Sequence, residues 1–94
     1  MIFIINNMKY DTDKMEKVAD VKKRYPAGGI WGQNVTSIEN CELWKSNRGN
    51  WLLTRKNFYG GHYGEAIKEA EAKGLLMSYA WKAYEKKFGE IEEA

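Results

Sequence analysis

Cysteine, histidine and proline are nearly absent from this chain, which has one of each among its 94 residues. A single cysteine excludes an intrachain disulfide and fits a reducing compartment. A zinc site needs about four ligands, so we expect no metal centre, and no sequence motif indicates a cofactor. Cys41 and His62 are the one candidate for a nucleophile and base pair, but a cysteine buried in a strand is the more common arrangement. We therefore expect a protein that is not an enzyme.

The chain also lacks a long hydrophobic run and a large net charge. Residues 1–5 are apolar but too few for a secretory signal or a membrane span, so we expect a cytoplasmic protein with no membrane partner. The net charge is +2, with ten Lys/Arg and six Asp/Glu in residues 1–60 and five and seven in residues 61–94. This asymmetry predicts a mildly basic N-terminal part and an acidic C-terminal helix.

Aromatic residues make up 14% of the sequence, and they mark a hairpin in the middle of the chain. Residues 35–45 and 50–55 are apolar and aromatic runs of the kind that form strands. Residues 47–49, Asn-Arg-Gly, lie between them and suit a type I turn followed by a glycine in the left-handed region. The pairing that follows from this turn brings Trp44 close to Leu52.

Shorter segments are predicted to add strands around this hairpin. Residues 2–5 are β-branched and aromatic, which favours a strand, and residues 6–7, Asn-Asn, indicate a turn. Residues 8–10 then form either a second short strand or the entry to a helix. Residues 75–77 are a three-residue apolar run that we interpret as a closing strand.

Three segments are predicted to be helices. Residues 13–25 begin with the cap-x-x-Glu spacing of a capping box, carry apolar residues at near-helical spacing, and end before Pro26. Good helix formers predict a second helix over residues 65–73, with Gly74 as its left-handed C-terminal residue. Ser78 is the predicted N-cap of the third. The apolar stripe of this third helix consists of Trp81, Tyr84, Phe88 and Ile91.

These elements predict one α+β domain over residues 1–94, in which about three helices pack on one face of a small antiparallel sheet around the central hairpin. Glycine-rich loops at residues 27–34 and 57–64 connect the elements. Trp31 in the first loop either anchors it to the core or is displayed to a partner. In the second loop, the glycines favour a simple turn over a phosphate-binding cradle.

Cations alternate with aromatic side chains along the central hairpin, which makes it the best candidate for a binding surface. Such a mixture is typical of protein-binding hot spots, and it can also follow a phosphate backbone while bases stack on the rings. The alternative to both is that the tryptophans pack in the core and the cations are solvated. The candidate residues are Trp44, Lys45, Arg48, Trp51, Arg55, Lys56 and Tyr59. In the nucleic-acid interpretation the basic N-terminal helix adds Lys17, Lys22, Lys23 and Arg24.

Four short motifs connect the chain to a known group of proteins. They are residues 9–12 (KYDT), residues 43–53 (LWKSNRGNWLL), the double glycine at 60–61, and residues 84–90 (YEKKFGE). With this order of motifs the chain resembles a group of small, largely uncharacterised proteins carried by phages and conjugative elements of Gram-positive bacteria. The motifs extend over most of the chain.

The resemblance implies an accessory protein of a mobile genetic element. Small proteins of that origin often disable host defences by binding, and anti-CRISPR proteins are among them. The implied function is a non-enzymatic one, with a protein partner such as a CRISPR effector or another defence nuclease. A small nucleic-acid-binding module and a structural or regulatory interaction domain are the alternatives that the residues leave open.

Overall fold

The computed structural model of the chain describes residues 1–26, 35–57 and 59–94. Trp31, for which two roles were predicted, lies outside the described residues. The strands are β1 (Ile2–Ile5), β2 (Met8–Asp11), β3 (Glu16–Pro26), β4 (Thr36–Lys45), β5 (Trp51–Lys56) and β6 (His62–Ile67), and the helices are α1 (Glu69–Tyr79) and α2 (Trp81–Phe88).

The strands form two antiparallel sheets. β3, β4, β5 and β6 lie side by side in this order, and β1 and β2 form a separate two-stranded hairpin. The predicted α+β class with an antiparallel sheet is confirmed. The predicted number of helices is wrong, because the described part of the chain contains two α-helices in place of about three. Neither of these two helices is long and apolar enough to cross a membrane.

The central hairpin is confirmed in detail. β4 and β5 pair with Trp44 opposite Leu52. Gly49 has a φ of +85°, as the predicted turn requires, and the Ser46 N–H donates to the Asn50 carbonyl at 2.9 Å to close the loop. The strand at residues 2–5 and the Asn-Asn turn after it are also confirmed, and residues 8–10 belong to a second strand. Local turn chemistry was therefore sufficient to predict the central hairpin, and of the two alternatives left for residues 8–10 the strand is the correct one.

The predicted helix over residues 13–25 is wrong, since this segment is mostly β3. Val21 is buried and Tyr25 is half-buried, whereas Lys22 and Arg24, which lie between them in the strand, are exposed. This is an alternation of period two, and the helical spacing of the apolar residues concealed it. β4 supplies a long ladder of antiparallel pairs to β3, and this pairing outweighs the local helical preference.

The capping signal near residue 13 belongs to one turn of 3-10 helix, Thr12–Lys14. Its cap is Asp11, whose side chain accepts a hydrogen bond from the Asp13 N–H at 3.1 Å. The turn ends at Met15, which is already extended. A capping motif can therefore begin a single turn without a helix to follow it.

The boundaries predicted for the C-terminal third are also wrong. The predicted helix over residues 65–73 begins in β6, where Ile67 lies opposite Trp51. α1 then continues through Gly74 and through residues 75–77, the predicted closing strand. Ala72 and Leu76, one helical turn apart, are both fully buried, so packing against the sheet decides where this helix runs.

The third predicted helix exists as α2, but it begins after Ala80 and not after Ser78, which lies within α1. Tyr84 and Phe88 pack against the core as the predicted stripe requires. Trp81 is half-exposed, and Ile91 lies beyond the end of the helix.

The main core lies between the four-stranded sheet and the two helices. We call this face of the sheet the helix side. Side chains from β3, β4 and β5 meet those of α1, and α2 covers them at one end. The buried members of the core are Val21, Cys41, Leu43, Trp51, Leu53, Ala72 and Leu76.

The β1–β2 hairpin covers part of the opposite face, which we call the hairpin side. Gly64 faces this side beside Thr54, and a Cβ atom added at Gly64 would lie 2.5 Å from Cδ1 of Phe3. Leu52, which also faces the hairpin side, is fully buried. The fold therefore has three layers: helices, four-stranded sheet and N-terminal hairpin.

The contact between Phe3 and Gly64 predicts the effect of a methyl group. We expect Gly64→Ala to lower the free energy of unfolding by about 1–3 kcal/mol, because the ring has to move and the hairpin with it. The matched control is Gly74→Ala, at a helical position where no atom lies within 4 Å of the added methyl group. This change should raise the free energy of unfolding by roughly 0.5–1 kcal/mol. Urea unfolding measures both. Equal stability of Gly64→Ala and the wild type would contradict the packing of the hairpin on this face.

Candidate functional site

The seven hairpin residues proposed as a binding surface do not lie on one surface. Trp51, Lys45 and Arg55 face the helix side, whereas Trp44 and Lys56 face the hairpin side. Arg48 lies in the turn before β5. Tyr59 lies in the turn after it, at the opposite end of the strand.

The two tryptophans of the hairpin are packed against the protein. Trp51 is 2% exposed, stacks on Phe88 with ring centroids 5.9 Å apart, and has the Lys45 ammonium 5.3 Å above its ring. Trp44 is half-buried, and its Nε1 donates to the Thr54 hydroxyl at 3.0 Å. The cations and rings that remain accessible are those near the turns.

The four-stranded sheet divides into two arms at one end. Among the described residues the β4–β5 ladder stops at the Glu42–Thr54 pair. The β3–β4 ladder continues to Pro26 and Thr36, and the β5–β6 ladder continues to the Lys56–His62 pair. We call residues 21–26 and 36–41 the first arm, residues 55–57 and 59–63 the second arm, and the space between them the interarm cleft. The cleft has a volume of about 750 Å³ and is lined by residues of both arms.

Arg55 connects the two arms on the helix side. Its guanidinium lies 3.8 Å from the ring centroid of Tyr25 and 4.4 Å from that of Tyr63, so it is held between two rings. One of its nitrogens donates to a carboxylate oxygen of Glu39 at 3.0 Å. Both side chains of this ion pair are largely buried, which makes the pair less screened than a surface one. Arg55 therefore acts first as a structural bridge.

A second set of contacts joins the first arm to β6 and α1. The Lys23 ammonium lies 2.8 Å from Glu65 and 2.7 Å from Glu71. The Tyr25 hydroxyl donates to Glu65 at 3.1 Å. Lys23 was a candidate for contacting nucleic acid, but in the folded protein two carboxylates occupy its ammonium.

The other basic residues of the predicted N-terminal helix lie along an edge strand. Lys17 pairs with Asp20 at 3.1 Å and with Glu42 at 3.8 Å. Lys22 and Arg24 face the hairpin side, and neither makes an ion pair within the part of the chain that the structure describes. Lysines on an edge strand hinder pairing with another chain. The basic residues of β3 therefore have a structural role, which a helix at this position would not have given them.

Cys41 lies in the first arm and faces the helix side. It is 2% exposed, and its thiol donates to the Glu39 carbonyl at 3.5 Å. Burial raises the pKa of this thiol, which keeps it protonated at neutral pH. His62 faces the hairpin side as the partner of Lys56, so the two residues lie on opposite faces of the sheet. No group of three or more possible metal-binding side chains occurs among the described residues.

No protein-family model matches the chain, and no curated protein and no solved structure matches it either. The function of the chain has to be inferred from its own residues.

Four members of the site were not among the residues predicted from the sequence: Tyr25, Glu39, Tyr63 and Glu65. Tyr25 and Lys23 were assigned to a helix, and Glu65 to the start of another. The signal that would have found them is the period-two spacing of Lys23 with Tyr25 and of Tyr63 with Glu65, which brings each pair to one face of a strand.

This cluster predicts how stability depends on pH. Burial raises the pKa of Tyr25 and that of Cys41. Burial alone would lower the pKa of Lys23, but its hydrogen bonds to Glu65 and Glu71 outweigh that effect and the net shift is upward. All three groups hold their protons more tightly in the folded chain than in the unfolded chain. Their contribution is therefore complete below the ordinary values of 9.0, 10.0 and 10.5 and is lost as the pH rises through them.

We expect the thermal midpoint to fall as the pH rises from about 8 to about 11, by roughly 4–8 °C for each kcal/mol lost. Tyr25→Phe removes one of the three groups and should flatten the fall. Tyr79→Phe changes a half-exposed tyrosine outside this hydrogen-bonded cluster and should keep the wild-type dependence. Identical profiles for Tyr25→Phe and the wild type would contradict the assignment.

Proposed function

We propose that the chain is a non-catalytic binding protein that acts on another protein through the tip of the second arm. We define this tip as Lys56, Tyr59 and Tyr63. It retains two of the residues proposed from the sequence and adds Tyr63. Lys56 faces the hairpin side and Tyr63 the helix side, and Tyr59 lies in the turn at the end of the arm. Tyrosine is enriched at the energetic centre of protein interfaces.

The observation that carries the proposal is the display of Tyr59. Its side chain is 92% exposed, and its backbone N–H is hydrogen-bonded to Asn57. The Asn57 side chain accepts hydrogen bonds from the Tyr59 N–H at 2.9 Å and the Gly61 N–H at 2.8 Å. The Asn57 N–H donates to the Gly61 carbonyl at 2.9 Å. Because these bonds fix the backbone at Asn57, Tyr59 and Gly61, less conformational entropy is lost there when the exposed ring binds a partner.

Tyr63 is oriented in a similar way. Its ring stacks on the guanidinium of Arg55, which is itself anchored by Glu39, and half of its surface remains exposed. Lys56, between the two tyrosines along the hairpin, makes no ion pair within the described residues. The tip thus combines the Tyr63 ring, which Arg55 orients, the exposed Tyr59 ring and an available cation.

The resemblance to small proteins of phages and conjugative elements supports a more specific form of the proposal. In that form the chain is a cytoplasmic accessory protein of a mobile element, and its partner is a bacterial defence nuclease such as a CRISPR effector. Inhibition would come from occupying a surface that the nuclease needs. The support here is the resemblance of the motifs, and the geometry of the tip supplies the contact surface.

Nuclease inhibition or pull-down with CRISPR effectors tests the proposal. We expect Tyr59→Ala and Lys56→Glu each to weaken binding by at least about 2 kcal/mol, or roughly thirtyfold, because both truncate or reverse the centre of the contact. Arg48→Glu is the matched control, since it reverses an exposed cation in the turn at the far end of β5. It should leave binding unchanged. Loss of binding in Arg48→Glu with full binding in Tyr59→Ala would move the surface to the other end and refute the proposal.

A further inference from the structure

We propose that the interarm cleft binds a phosphate-bearing ligand of nucleotide size, held between Lys22 of the first arm and Lys56 of the second. This site shares Lys56 with the tip of the second arm, but it adds Lys22 of the first arm and takes a different class of partner.

The strand register places Lys22 and Lys56 on the same face of the sheet, one on each arm that borders the cleft. Lys22 lies opposite Asn40, and Glu42, two residues along β4, lies opposite Thr54. Lys56 lies two residues beyond Thr54. Directly opposed residues share a face, as do residues two apart on one strand. Both ammonium groups therefore belong to the hairpin side, and both residues line the cleft.

The carboxylates that also line the cleft are all paired with cations, and Asp20 and Glu42 together keep one negative charge because they share one ammonium group. Glu39 is paired with Arg55 at 3.0 Å. Asp20 and Glu42 share Lys17, at 3.1 Å and 3.8 Å. Lys22 and Lys56 have no such partner in the described part of the chain. The two unpaired lysines exceed the one negative charge that remains on Asp20 and Glu42, so an anion is the complementary ligand.

The positive charge is concentrated at the mouth of the cleft. Asp20 and Glu42 form a cross-strand pair at the inner end, where the β4–β5 ladder stops. The Lys22–Asn40 and Lys56–His62 pairs lie two residues farther out. A phosphate group at the mouth would lie between the two ammonium groups, beside the polar side chains of Asn40 and His62. Charge-assisted contacts of this kind are among the stronger hydrogen bonds in proteins.

The rest of the cleft suits the remainder of a nucleotide. Its volume, about 750 Å³, is within the usual range of roughly 300–1,000 Å³ for small-molecule sites. The lining includes apolar and aromatic surface from Ile38 and Tyr79, which are both more than half exposed. A ring system against these side chains and a phosphate between the lysines would use both parts of the lining.

Titration of the isotopically labelled protein with adenosine 5′-monophosphate, followed by amide chemical shifts, tests the inference. We expect saturable shifts centred on Lys22, Asn40, Lys56 and His62. Lys22→Gln and Lys56→Gln should each weaken binding about tenfold, which corresponds to one lost hydrogen bond to a charged group. Lys9→Gln removes an exposed lysine of β2 outside the cleft and should bind as the wild type does. The amide spectrum of each variant reports whether its fold is intact.

A single-stranded oligodeoxynucleotide about ten nucleotides long distinguishes the two sources of such a phosphate. Binding much tighter than that of the mononucleotide, weakened by Arg24→Gln and by added salt, identifies a nucleic-acid strand. Equal affinity for both probes identifies a free nucleotide, and either result supports the site. The inference is overturned if neither probe gives saturable shifts at millimolar concentration, or if Lys9→Gln weakens binding as much as Lys22→Gln does. Lys22→Gln leaves the tip unchanged, so its protein binding reports on the other proposal alone.

Discussion

The burial of β5 on both of its faces is the constraint on which the rest of the structure depends. Trp51, Leu52, Leu53 and Thr54 are four consecutive buried residues. Alternate side chains point to opposite faces, so two separate layers must cover them. The helices cover Trp51 and Leu53, and Leu52 and Thr54 face the hairpin side. Each fully buried large apolar side chain contributes roughly 1.5–3 kcal/mol to stability. Covering both faces of β5 therefore stabilises this chain of 94 residues.

The same constraint explains why the sheet divides where it does. The β4–β5 ladder covers only the buried residues of β5 and stops at Thr54. The next two residues are Arg55 and Lys56, whose charged groups need water or a partner. Arg55 finds partners in Glu39 and two tyrosine rings on the helix side, whereas Lys56 remains solvated on the other. The interarm cleft and the tip of the second arm both begin at the point where the core ends.

Burial of Trp51 has a cost that its neighbours offset in part. Its Nε1 has no hydrogen-bond acceptor among the described residues, which costs about 1–3 kcal/mol for a buried donor. The ring gains contact with Phe88 and with the Lys45 ammonium. An aromatic pair such as Trp51–Phe88 and a cation–π contact such as Lys45–Trp51 each contribute roughly 0.5–1.5 kcal/mol to stability. If Trp51 were exposed, its contacts with Phe88 and Lys45 would be lost. The accessible residues of the hairpin therefore lie near its turns, where the strands are not covered by the core.

The sequence by itself determined the features that depend on neighbours in the chain. The Asn-Arg-Gly turn requires specific backbone angles, so residues 35–45 and 50–55 were recognisable as paired strands before any tertiary contact was considered. The Asn-Asn turn marked the end of the strand at residues 2–5, although residues 8–10 were left open between a strand and the entry to a helix. Only the tertiary structure decided the state of residues 16–26 and 62–79, in which helix formers and β-branched residues are mixed. β3 is extended because β4 pairs with it, and α1 begins late because β6 is needed to cover the edge of β5. The candidate site combines residues from four strands and a helix, and the long-range pairing that brings them together leaves no signal in local spacing.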